Sequence, residues 1–482
     1  MNILFIAAEA APFVKVGGLA DVVGSLPASL LRLGHNPRVI IPHHGTIDDV
    51  KHGIEPLESF DIPWMGGTAQ VEVSVVRQDD VPIYFLRAWP YFQPDQKFVY
   101  DHDDGMNIGR FLFFCFAALH YAAKLAEEDD WRLDIAHIHD WHTALVAYLL
   151  ARVFSDHPVL GRVPSILTIH NMRYQGWGVG WHLSNAGLPP VDHGLLNAMD
   201  RANNTLAIGL AYSTMITTVS PRYAQEILEP EGGYGLDSLL HARLSRLVGI
   251  LNGIDVQRWD PEHSAGVPTH FTADQVAHRR ENKLALQREV GLPQKPDVPV
   301  IGTVMRLVDQ KGPNLIPHAV RYMLSVDDVQ FVLLGTGHWH YENEMWWIGH
   351  DFPEKASINL NFNEGLAEKI YAGVDMFLMP SLFEPCGIGQ MIAMRYGAIP
   401  IVREVGGLAD TVTPDIGFLF RNFDSGGLGW AMGQALEVYW NNPQGWQARQ
   451  RRAMRADFSW EASAERYIDV YERAVGLKQT YA

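Results

Sequence analysis

Residues 2–8 read as a strand, continuously apolar after Asn2, followed by a glycine turn, a helix-length segment at 19–33 that stops at Gly34, and a second strand at 38–41. A strand that is apolar on both faces must be covered on both faces, and helical crossovers between parallel strands do this. The opening is therefore a βαβ unit. The pattern recurs: 135–139 reads as a strand leading into a helix at 143–154, and 165–169, 215–219 and 247–251 read as further short strands. After Asn252-Gly253 the chain becomes polar and proline-containing over 256–296, with a helix predicted at 273–290. A second alternating series follows, with strands at 298–304, 329–334, 375–379 and 399–402 and helices from Gly426 onward. Alternation of this kind predicts an α/β fold with parallel sheets. With 482 residues, two domains are expected, joined near residue 253.

Composition narrows the function classes. A formal net charge of −17 disfavours a nucleic-acid partner, whose phosphates require clustered Lys and Arg. It leaves room for a phosphate-bearing small ligand, which needs only a few placed cations. Two cysteines far apart, Cys115 and Cys386, exclude a disulfide framework and suit a reducing cytoplasm. The N-terminus lacks the basic segment of a signal peptide and meets Glu9 early. The apolar stretch 111–126, interrupted by His120 and Lys124, is expected to be a buried helix rather than a membrane span.

In open parallel sheets ligands gather at the carboxyl ends of the strands, so residues just after each strand are the ones to inspect. The hexapeptide Val-Gly-Gly-Leu-Ala-Asp occurs twice at such positions, at 16–21 and 405–410. Lys15 precedes the first copy, and Arg403 stands near the second. Glycines at a helix start let a ligand approach the backbone, and free N–H groups there favour an anion. A plain strand–helix turn would read the same, but identity over six residues favours a functional turn. Arg306 and Lys311 follow the strand at 298–304 and have the chemistry to hold a diphosphate as its charge develops. Glu384, in Phe383-Glu-Pro-Cys-Gly387, stands in a rigid turn where a carboxylate can accept hydrogen bonds from sugar hydroxyls. Cys386 lacks a histidine partner and reads as packing rather than as a nucleophile. The run His137, His139, Asp140, His142 admits a metal reading, with His137 and His139 on one strand face, or a simple strand-end loop. Further histidines at 338, 340 and 350 carry the same two readings. There is no phosphate-binding P-loop motif, and Gly335-Thr-Gly337 lacks the third glycine of the dinucleotide fingerprint.

Taken in order, Lys15-Val-Gly-Gly-Leu, His139-Asp-Trp-His142, Thr168-Ile-His-Asn171, Thr218-Val-Ser-Pro221, Leu251-Asn-Gly253, Arg306-Leu with Gln310-Lys-Gly312, Phe383-Glu-Pro-Cys-Gly387 and Gly406-Gly-Leu-Ala-Asp-Thr411 closely resemble the bacterial glycogen synthase and plant starch synthase family, nearly end to end. The resemblance implies two Rossmann-like domains facing a deep interdomain cleft, of the GT-B type. Residues 1–253 would form the acceptor-side domain and 254–458 the donor-side domain, with 459–482 packing back on the first. It implies transfer of glucose from ADP-glucose to the non-reducing end of an α-1,4-glucan, with retention at the anomeric carbon. His170, Glu384, Arg306 and Lys311 would be catalytic. Lys15, Gly17, Gly18, Asp21, Asn252, Phe362, Cys386, Gly387, Gly406 and Gly407 would line the nucleotide-sugar site, with Phe362 near the adenine. No metal and no cofactor are implied.

The sequence departs from the family at Leu382, where an arginine is usual, at Gly389 and Val405, and at Ala207-Ile-Gly209, which replaces a lysine-bearing segment. These positions leave open UDP-glucose as donor or a different acceptor. A metal-dependent hydrolase built on the histidine run and a catalytically silent glucan-binding relative are the alternatives from other classes.

Overall fold

The computed structural model describes residues 1–128 and 131–480, which divide into two compact units. The first comprises Met1–Val219, Ala224–Leu251 and the chain from Trp460; the second comprises Ser220–Tyr223 and Asn252–Ser459.

The first unit is built on nine strands: β1 Asn2–Ile6, β2 Asn36–Pro42, β3 Glu55–Trp64, β4 Gly67–Gln78, β5 Val81–Arg87, β6 Ile135–His139, β7 Ser165–Ile169, β8 Met215–Thr218 and β9 Leu247–Gly249. Their order in the sheet is β3-β4-β5-β2-β1-β6-β7-β8-β9. The pairings from β5 through β9 are parallel, and Leu4, Phe5 and Ile6 of β1 are fully buried, as a strand covered on both faces requires.

One edge departs from the expected alternation. The strands β3, β4 and β5 pair antiparallel through two-residue turns at Met65-Gly66 and Asp79-Asp80. All four turn residues have positive φ, the geometry that matches the twist of a hairpin. In β4, Val71 and Val73 are buried while Glu72 between them is exposed, which is half-buried strand patterning that a search for fully apolar runs passes over.

The helix Gly18–Arg32 crosses from β1 to β2 and packs against the C-terminal helix Trp460–Thr480. Trp460, Ala464, Tyr467, Val470 and Tyr471 enter the same core as Ile3, Phe5 and Val22. The segment Asp104–Glu127 is long and apolar enough to cross a membrane by composition, but 83% of its apolar window is buried inside the protein, so it is a core helix. The helix expected at 143–154 is two shorter pieces, Asp140–Thr143 and Leu145–Arg152.

The second unit has six strands: β10 Val300–Val304, β11 Gln330–Leu334, β12 Ala356–Asn359, β13 Met376–Met379, β14 Ile399–Arg403 and β15 Phe418–Phe420. Their order is β12-β11-β10-β13-β14-β15, and every pairing is parallel. The two edge strands, β12 and β15, were not expected from the sequence. They are three or four residues long and only partly buried, so no continuous apolar run marks them.

Candidate active site

The carboxyl ends of β1, β6 and β7 collect one group of candidate residues in the first unit. Lys15 Nζ pairs with Asp21 Oδ1 at 2.6 Å, bridging the start of the Gly18–Arg32 helix, and the lysine is half exposed. The turn between them is held from beneath by Glu9. Its Oε2 accepts from Val16 N at 2.5 Å and Gly17 N at 3.1 Å, while Tyr100 donates its hydroxyl to Oε1. Burial raises the Glu9 carboxyl above its usual range, opposed by the hydrogen bonds from Tyr100, Val16 and Gly17. This corrects one expectation: the amides of Val16 and Gly17 are taken up by the protein's own carboxylate rather than left open for an anion.

The glycines of the two hexapeptide copies serve different ends. A Cβ placed at Gly17 or Gly18 would meet nothing within 4 Å, so the fold itself does not demand glycine there. In the second copy a Cβ at Gly406 would lie 1.9 Å from Glu384 O, and one at Gly407 2.2 Å from Cys386 O. Gly407 N donates to Glu384 O at 3.0 Å. The second pair of glycines lets this turn press against the backbone that carries Glu384, where any side chain would collide.

Beside the Lys15 turn, the strand ends of β6 and β7 bring His139 Nδ1 within 3.1 Å of His170 Nε2. Asp140, with φ of 52°, turns its carboxylate to accept from His170 N at 2.7 Å and Asn171 N at 3.4 Å. Burial pushes the Asp140 carboxyl up to about 7 and the His170 imidazole down to about 3. His139 is likewise driven well down by burial and by its neighbours His137 and His170. His170 is therefore a neutral imidazole at neutral pH, fixed through its backbone by Asp140. The metal reading of the histidine run is not supported by these partners. His137 Nδ1 faces Tyr471 OH at 2.8 Å and its Nε2 faces Thr168 Oγ1 at 2.6 Å, so both ring nitrogens are engaged. His142 stacks on Tyr100 with ring centroids 4.9 Å apart.

In the second unit, Lys311 Nζ pairs with Glu384 Oε2 at 2.6 Å, and Ser381 Oγ donates to the same oxygen at 3.0 Å. Both side chains are largely buried, the carboxylate more so. The two segments are tied through the backbone, Leu382 N donating to Gln310 O at 2.9 Å. Arg306, just beyond β10, is exposed, and its guanidinium makes no hydrogen bond or ion pair among the described residues. Gly387 turns with φ of 72°, and Gln390 Nε2 donates to the carbonyls of Cys386 and Gly387 at 3.2 and 3.0 Å. The Cys386 thiol is buried and pushed up to about 12, which suits packing and not nucleophilic attack. Asn252 is buried, and its Oδ1 has no hydrogen-bond partner among the described residues. Phe362 is 82% exposed, a ring open to solvent. Leu382 is exposed as well.

Lys15, Gly17, Gly18, Asp21 and His170 thus fall in the first unit, and Asn252, Arg306, Lys311, Phe362, Glu384, Cys386, Gly387, Gly406 and Gly407 in the second. Sequence reasoning passed over Glu9 and undervalued Asp140. Both are carboxylates at strand ends, β1 and β6, which is the signal that would have found them.

Comparison with known proteins agrees with this architecture. Residues 2–242 match the starch synthase catalytic domain family, and residues 287–452 match the glycosyl transferases group 1 family. A glycogen synthase from Streptococcus gordonii is 41% identical over 484 residues, covering 98% of this chain and 99% of that protein. The structure of the catalytic domain of starch synthase IV from Arabidopsis thaliana, bound to ADP and acarbose, superposes with a TM-score of 0.87 at 33% identity. That match covers 98% of this chain and 99% of the other. A sucrose-phosphate synthase from Thermosynechococcus elongatus, 17% identical with a TM-score of 0.61 over 98% of this chain and 99% of the other, shares the fold. The chain belongs to the glycogen and starch synthase family of glycosyltransferases, with its GT-B fold of two α/β domains.

Proposed function

We propose that this enzyme transfers glucose from ADP-glucose to the non-reducing end of an α-1,4-glucan with retention of anomeric configuration. The observation that carries the reading is the Lys311–Glu384 pair together with the exposed Arg306, which follows the same strand β10 as Lys311, a set that joins a hydroxyl-binding carboxylate to two cations suited to a diphosphate. Family membership supports glucosyl transfer, and the ADP and acarbose held by the starch synthase IV structure support a nucleotide donor and a glucan-like acceptor.

In this mechanism Glu384 accepts hydrogen bonds from the glucose hydroxyls, and Lys311, paired with it at 2.6 Å, reaches a phosphate oxygen. Arg306 offers a planar fork to the leaving diphosphate, so charge that develops on bond breaking meets cations already in place. His170, held neutral, supports the oxocarbenium-like transition state without adding a repelling positive charge. Lys15, released from Asp21, binds the donor, and the open space above Gly17 and Gly18 leaves room for it. The exposed Phe362 ring takes the adenine, and Asn252 offers its Oδ1, without a partner among the described residues, as an acceptor. Gly387 shapes the Glu384 turn, and Gly406 with Gly407 seats it.

The test is nucleotide release in the presence of glycogen with ADP-glucose or UDP-glucose as sole donor. Faster, acceptor-dependent release from ADP-glucose is expected. A preference for UDP-glucose would keep the reaction and overturn the donor, and release from neither would overturn the reaction.

A further inference from the structure

Outside this machinery, the second unit gathers three metal-ligating side chains that the proposed transfer does not use. Ligand atoms of Asp309, His338 and His340 all lie within 4.8 Å of one another, and all three residues are exposed. They come from two segments that the backbone holds in register. Leu307 N donates to Thr336 O at 2.9 Å, and His338 N donates to Leu307 O at 2.8 Å. Tyr341 OH donates to Asp309 Oδ1 at 2.8 Å, orienting the carboxylate in the way outer partners orient metal ligands. Glu342 braces the turn from the other side, accepting from Gly337 N at 2.8 Å.

We propose that Asp309, His338 and His340 bind a divalent transition-metal ion of the Zn²⁺ class. Two imidazoles and one carboxylate are a donor set that favours Zn²⁺, Co²⁺ or Ni²⁺ over Mg²⁺ or Ca²⁺, which prefer all-oxygen shells. Tetrahedral binding at bonds of about 2.0–2.1 Å places ligand atoms about 3.4 Å apart, a closure within reach of exposed side chains by small rotations. Three protein ligands leave a fourth position for water. The other candidate cluster, Asp260, Glu262 and His263, is less suited, because His263 Nδ1 is already engaged by Asp260 Oδ2 at 2.7 Å. Asp309 opens the short turn Asp309–Lys311, so the ion ties the segment that presents Lys311 to the Trp339–Asp351 helix. It braces the turn and takes no part in the transfer.

The experiment is calorimetric titration of the full chain with Zn²⁺, repeated with Co²⁺ to read its visible absorption. The wild type is expected to bind a Zn²⁺ equivalent that the His338→Ala/His340→Ala double variant loses or binds at least about tenfold more weakly. Asp309→Asn should weaken it in the same direction, and His263→Ala should bind as the wild type does. All the altered side chains are exposed, and circular dichroism confirms that the variants fold. Equal Zn²⁺ uptake by wild type and double variant, or none by the wild type, would overturn the site.

Discussion

Lys311 Nζ and Glu384 Oε2 lie 2.6 Å apart, joined across 73 residues of sequence at the carboxyl ends of β10 and β13. The pair is largely shielded from water, so each charge depends on the other. Lys311→Ala and Glu384→Gln are each expected to lower kcat/KM by at least about 100-fold, in the range typical of removing a transition-state electrostatic partner. The double variant should lose much less than the product of the two effects, because the groups act as a unit. A double-mutant cycle on initial rates checks this, and strict additivity would refute the coupling.

The two hexapeptide turns should separate stability from activity. Gly407→Ala drives a Cβ against Cys386 O and is expected to destabilise the protein by about 1–3 kcal/mol. Gly17→Ala meets no protein atom and should change stability by no more than about 0.5 kcal/mol while raising the donor KM. Thermal melts paired with donor titrations measure both. Equal stability losses in the two variants would contradict the distinction.

Glu9 is expected to act through the loop that it holds. Glu9→Ala leaves the amides of Val16 and Gly17 without their acceptor, at a cost of about 1–3 kcal/mol, and should lower kcat/KM by loosening the Lys15 turn. Glu9→Gln keeps a carbonyl oxygen for those amides and should recover most of the loss. If the two variants are equally impaired, hydrogen-bond acceptance is not what Glu9 contributes.

Stability should fall with acidity in a defined window. Burial pushes His44, His137, His142 and His170 each down to about 3. Below the unfolded value near 6.5 the unfolded chain therefore binds protons that the folded chain does not. The contribution is full above about pH 6.5 and is lost as pH falls toward 3, at about 1.4 kcal/mol per pH unit for each histidine. Asp140 works in the opposite direction, since its raised value near 7 lets the folded state hold a proton that the unfolded chain has released. Urea unfolding at pH 7.5, 6.0 and 5.5 should show the net decline, and His170→Asn should flatten the slope by one proton. A slope unchanged in that variant would contradict the assignment.

The sequence made the parallel core of both sheets legible because those strands are short, largely apolar and buried on both faces, and the expected bounds of β6 and β7 agree with the observed ones. The β3–β4 hairpin was not legible in that way, because most of its residues are exposed or half-buried and its turn is Met65-Gly66 rather than a stronger hairpin signal, whereas β5 is a largely buried apolar strand that was passed over. Within the site, single residues after strands were readable from charge and position. Their partners were not. That Glu9 reaches Val16, that Asp140 holds His170, and that Gly407 presses on Cys386 are consequences of three-dimensional packing which spacing along the chain does not encode.

Retaining glucosyl transfer onto a glucan leaves its signature in the product. Proton NMR of maltooligosaccharides incubated with the enzyme and ADP-glucose should show a growing α-1,4 anomeric signal matched by ADP release. A β-linked product, or ADP release with free glucose and no chain growth, would contradict it.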